Sequence, residues 1–129
     1  MKTLITVLLF MVMSMTQAQP AVNSHTGVCR AIENHLNETL GNPRSVRTVE
    51  VSHIIHLGNG NWLQRYQYRA ENVFGARQVF EHFFEMTGEG SNARVIDVYT
   101  RREFQNLSAR MPNSYSVRAV YNYEGQRIE

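Results

Sequence analysis

The 129-residue chain holds one cysteine, one tryptophan and one lysine. Cys29 alone cannot close an internal disulfide, so the fold rests on its apolar core. With no second thiolate and no His-Glu-x-x-His run, a zinc site lacks its ligands. No cofactor motif, internal repeat or low-complexity tract is present. Lysine is confined to Lys2, so every later basic residue is arginine. Past residue 18 twelve arginines stand against eleven acidic residues, near neutrality, and the arginines are interspersed with glutamates rather than gathered in a stripe. That distribution excludes the usual electrostatic footprint of a nucleic-acid binder. Long apolar runs are also missing after the first: only Leu4–Met13 qualifies, and it is short for a membrane span.

That one run follows Lys2 and precedes Thr16 and Ala18, small or polar residues at the −3 and −1 positions of a cleavage site. The pattern is that of a secretory signal peptide. The expected division is a signal over 1–18 and a single domain over 19–129, about 111 residues, sufficient for one modest core. The expected location is secreted or periplasmic, with no membrane in the mature form. Four of six methionines depart with the signal.

Residues 19–25 are polar and are expected to be loose. Val28, Ile32, Leu36 and Leu40 then recur every four residues, with Cys29 beside them, which predicts a helix over 26–40 capped by Ser24 or Thr26. Gly41-Asn42-Pro43 ends it, with glycine as the left-handed cap. Cys29 on this stripe reads as a small buried apolar residue. The other readings are an intermolecular disulfide and a reactive thiol.

Residues 47–70 predict a hairpin. Asn59-Gly60 suits a type I′ turn because both residues tolerate positive φ. Centring the turn there places Leu57 opposite Trp62, Ile55 opposite Gln64, His53 opposite Tyr66, Val51 opposite Tyr68 and Glu50 opposite Arg69. A one-residue slip would exchange the two faces. A second hairpin is expected over 76–102, with Phe80, His82, Phe84 and Met86 on one face and a flexible loop at Gly88–Asn92. Residues 103–114 read as a connection with room for a short helical turn, and Tyr115–Tyr123 as the last strand. The fold class is α+β: one N-terminal helix packed on a curved antiparallel sheet of about four to five strands. In element order this resembles cystatin-like and NTF2-like architectures. The Gln-x-Val-x-Gly signature of inhibitory cystatins is absent, because the first hairpin reads His56-Leu57-Gly58-Asn59-Gly60-Asn61-Trp62. No cystatin activity is carried over.

Two chemical readings arise. Pairing Phe84 with Val95 sets His82 opposite Asp97, a base and its orienter for a small pocket enzyme of the NTF2-like kind. The other reading is a non-enzymatic binding protein, inhibitory or immunity-type roles included. It would hold a protein or a small apolar ligand on Trp62, Tyr66, Tyr68, Phe80, Phe84 and Tyr99. Ile54, Leu63 and Phe83 are expected on the sheet face away from the helix, where they would favour a homodimer or another partner. His53 and His56, three apart on a strand, point to opposite faces and cannot share an ion. Asn37 and Asn106 fit the glycosylation sequon.

Overall fold

The computed structural model describes residues 18–110 and 119–121. The signal-peptide expectation and the flanks of the last strand, Tyr115, Val117 and Tyr123 among them, lie outside the described residues. The first helix, α1, spans Arg30–Thr39 and buries Ala31, Ile32 and Leu36. It begins four residues later than the apolar stripe suggests. Asn23 accepts the His25 backbone N–H through Oδ1 and the Gly27 N–H through its carbonyl, and Gly27 takes φ 80°. This turn reverses the chain, so the cap is Cys29 rather than Ser24 or Thr26. The helix ends with Leu40 turning extended; Gly41 is not in the left-handed region. Residues 19–22 are strapped rather than loose. Ala21 N–H donates to the Gly90 carbonyl at 3.0 Å, and Gly90 N–H donates to the Gln19 carbonyl at 3.1 Å.

One antiparallel sheet follows, made of β1 (Arg47–Val51), β2 (Ile54–Gly58), β3 (Asn61–Glu71), β4 (Arg77–Thr87), β5 (Arg94–Tyr99) and β6 (Ala119–Tyr121). Its order is β5-β4-β3-β2-β6, and β1 shares the β2 side of β3. β1 and β2 are two halves of one interrupted strand. At the break the Ser52 N–H donates to the Arg65 carbonyl, and the Ser52 hydroxyl oxygen accepts the Arg65 N–H, both at 2.9 Å. The ladder is thus completed by a side chain.

The Asn59-Gly60 turn forms with φ 55° and 77°. The expected register holds for Gly58 opposite Asn61, next to the turn, and is lost from Leu57 onward. Leu57 is an extra residue in a bulge, so His56 rather than Leu57 opposes Trp62, and Ile55 opposes Leu63. Ile54 therefore faces the core, fully buried, instead of the far side. Val51 opposes Tyr66 and Glu50 opposes Gln67, and a second bulge at Val49 then sets Arg47 against Arg69. The Glu50–Arg69 pair is thereby corrected: Glu50 meets Arg65 at 3.5 Å. β3 and β4 pair without interruption, Trp62 with Met86, Tyr66 with His82 and Tyr68 with Phe80. Their shared face, with α1 above it, is the core.

The opposite face is not bare. Residues expected as a connection form a second helix, α2 (Arg101–Arg110). Phe104 stacks flat on Phe83, centroids 4.6 Å apart. A row of charges crosses the same face: Glu81 accepts from Arg65 at 3.0 Å and from Arg101 at 2.8 and 2.9 Å. These guanidiniums hold the Glu81 carboxyl down at about 2, the Arg101 hydrogen bond being the largest cause.

Candidate functional site

The proposed His82–Asp97 pair does not form. β4 and β5 are bulged between Glu85 and Met86, and Asp97 opposes Glu85. Adjacent positions on a strand project to opposite faces, so His82 lies on the core face and Asp97 on the other. His82 is only half sealed, among the rings of Tyr68, Phe80 and Phe84. Its Nδ1 lies 3.0 Å from the Tyr68 hydroxyl. Burial lowers its pKa from the ordinary 6.5, with Glu103 and Glu81 opposing the shift. Asp97 Oδ2 accepts from the Tyr99 hydroxyl at 3.0 Å, which also reaches Glu85 Oε1 at 2.9 Å. Tyr99 therefore belongs to a polar group on the α2 side, away from the other five residues read as a ligand surface.

Of those five, Trp62, Tyr66, Tyr68 and Phe84 are 1–3% exposed and pack the core beneath α1. Burial raises the Tyr68 phenol to about 12. The Tyr66 hydroxyl meets Thr48 Oγ1 at 2.8 Å at the edge of a cleft of about 390 Å³ between α1 and β1. Cys29 has no exposed surface and its thiol is pushed up to about 12, mainly by burial. An intermolecular disulfide there would require the start of α1 to open. Asn37 and Asn106, the sequon positions, are exposed and both lie on helices. Among the described residues, no three His, Cys, Asp or Glu side chains are grouped to hold a metal. Nor is any helix among them long and apolar enough to cross a membrane.

The surface that stands out lies elsewhere, at the end of the sheet where β3 turns into β4. The loop is residues 72–76, and Asn72 builds it. Its Oδ1 accepts the backbone N–H groups of Phe74 at 2.9 Å and Ala76 at 3.1 Å, and its N–H donates to the Ala76 carbonyl at 2.8 Å. Gly75 supplies φ 77°. The pinned loop displays Val73 and Phe74 at 93% and 90% exposure. On one side an apolar cleft of about 550 Å³ runs between Val73, Phe80 and the end of α1 at Leu40. On the other is a smaller cleft, about 190 Å³, lined by Arg44, Arg47, Arg69 and Arg77, with Glu71 its one acid among the described residues. Asn42, before the 3-10 turn Pro43–Ser45, donates to Glu71 at 3.0 Å; Ser45 Oγ accepts the Glu71 N–H at the same distance. These bonds sew the arginine-bearing turn to the hairpin.

This end is not among the sites expected from the sequence. Its signal was present in Glu71-Asn72-Val73-Phe74-Gly75-Ala76: a turn builder and a glycine enclosing two apolar residues. The arginines were not readable as a group, because 44, 47, 69 and 77 meet through the β1–β3 and β3–β4 registers and the 3-10 turn. In comparisons with known proteins the chain matches no family model, no curated protein and no solved structure.

Proposed function

We propose that this protein is a small exported, non-enzymatic binding module that docks through the β3–β4 hairpin end. Export rests on the N-terminal signal pattern. The order helix, then antiparallel meander, supports a cystatin-like or NTF2-like architecture, in which a rigid sheet carries a working edge or concavity. The observation carrying the reading is the exposure of Val73 and Phe74 at 93% and 90% on a loop held by four hydrogen bonds around Asn72. Large apolar groups held rigidly in water gain free energy only when something covers them. The enzyme reading loses its support, since its base and orienter lie on opposite faces of the sheet.

The test places a photo-crosslinking amino acid at position 74 and, as a control, at Ile96, exposed on β5. Each variant is irradiated in the native exported fraction. Adducts at 74 and none at 96 support the reading. Equal labelling at both positions, or none at 74, overturns it.

A further inference from the structure

We infer that the hairpin end docks on anionic phospholipid surfaces, with Val73 and Phe74 entering below the headgroups and the arginine cleft holding lipid phosphates. The inference rests on the docking surface proposed above and names its partner.

The charge distribution argues for an anionic partner. Arg47 stands directly opposite Arg69 across the β1–β3 pair. Like charges in that position repel. Arg47 is steadied by donating to the carbonyls of Arg44 and Val46 at 2.9 and 2.8 Å. No carboxylate forms an ion pair with Arg44, Arg47, Arg69 or Arg77 among the described residues. Glu71 sits among them with one oxygen engaged by Asn42. By contrast, Arg65 and Arg101 on the α2 face have their acids in place. Four guanidiniums around a cleft of about 190 Å³ leave a positive field and a space of phosphate size.

Shape selects the bilayer among anionic partners. A small-molecule site is concave. Here the most exposed apolar element is convex, standing beside the open cleft at Leu40 and Phe80: two side chains project from a tight turn, nearly wholly exposed. A convex apolar tip flanked by cations suits a medium that yields around it. The acyl boundary accepts the tip while arginines stay at headgroup level, their stems against apolar surface. Hydropathy along the chain speaks only to crossing a bilayer and is blind to this arrangement.

The experiment is vesicle flotation of the full processed chain, comparing phosphatidylcholine vesicles with vesicles containing phosphatidylglycerol. The expected result is co-flotation with the anionic vesicles only, weakening as salt rises. A Phe74→Trp variant should show a blue-shifted emission component on binding, since Trp62 is already buried. Val73→Ser with Phe74→Ser should abolish flotation. Arg69→Ser and Arg77→Ser should each weaken it about fivefold. Matched circular dichroism and melting establish that the variants fold. Equal binding to neutral vesicles, no vesicle binding, or full competition by millimolar inorganic phosphate without any Phe74→Trp shift would overturn the assignment. If vesicles fail while position 74 still yields a protein adduct, the lipid assignment falls and the docking surface stands. If both fail, both fall.

Discussion

The side-chain amide of Gln64 accepts the backbone N–H of Cys29 at 2.9 Å, locking the start of α1 to the middle of β3. Its Nε2 donates to the carbonyls of Gly27 at 2.9 Å and Ser52 at 3.0 Å. Gln64 has no exposed surface. A single buried amide thereby completes the helix entry, the Gly27 turn and the break between β1 and β2.

Replacing Gln64 with leucine keeps the volume and strands two buried backbone groups, at Cys29 and Gly27, and a half-buried one at Ser52. The expected loss is about 3 kcal/mol of unfolding free energy, read as a lower urea midpoint at unchanged slope. A loss below about 0.5 kcal/mol would mean that water or neighbouring groups replace the amide.

Cys29 should resist alkylation. Its thiol is raised from 9.0 to about 12, first by burial and then by Glu33. A raised acid contributes stability that is complete below 9 and is lost as pH climbs toward 12. Iodoacetamide at pH 8 should label the native protein only at the rate of global opening, and the urea-unfolded protein fully within minutes. Fast native labelling would contradict the sealed position.

His82 should make the fold sensitive to mild acid. Its pKa lies below the ordinary 6.5, chiefly from burial. The unfolded chain therefore binds the proton first, and stability falls as pH drops through 6.5 toward the native value, then levels. Melting temperature should decrease from pH 7.5 to pH 5.5, and His82→Phe should flatten that slope. An unaltered slope would assign the acid sensitivity to another group.

Glu81 governs a lower window. Its native value near 2 against an ordinary 4.5 means stability present above 4.5 and lost as pH falls toward 2. Because these ion pairs are partly exposed, Glu81→Gln should cost about 1 kcal/mol or less at pH 7. It should also shallow the acid limb of a pH–stability profile. A variant with the wild-type acid limb would show that the row of charges is energetically silent.

Two glycines should respond differently to alanine. At Gly88 the φ of 102° is unfavourable for a side chain, and an added Cβ would lie 3.0 Å from the Asn92 carbonyl oxygen. At Gly75 the φ is 77° with open space around it. Gly88→Ala should cost about 2 kcal/mol or more, Gly75→Ala about 1 kcal/mol. Equal melting temperatures for the two variants would remove the steric argument.

The two long central strands were legible because their patterns are uninterrupted. Trp62, Gln64, Tyr66, Tyr68 and Ala70 alternate without a break, and Phe80, His82, Phe84 and Met86 meet them residue for residue. What could not be read were three single-residue bulges, at Val49, at Leu57 and between Asp97 and Val95. Each exchanges the faces beyond it. The adjacent pair Ile54-Ile55 fits either phase, so the pattern gives no warning. His82 and Asp97 part because the loop closes with Met86 on Val95, two residues off the expected register, and the insertion before Asp97 then turns it to the other face. Glu50 leaves Arg69 through the Leu57 bulge and a further one-residue slip at the break between β1 and β2. The fold class survives bulges because it depends on element order, whereas a site depends on register.

The interruption of the first strand also bears on self-association. Among the described residues β1 pairs with β3 on one side, and no described strand borders its other side. A long, straight border of that kind invites a second chain to add on and grow a fibril. Here it runs for only five residues, is kinked at Val49, carries Arg47 and Glu50, and stops at Ser52. The same irregularity that hid the register from the sequence thus guards the folded chain against templated aggregation.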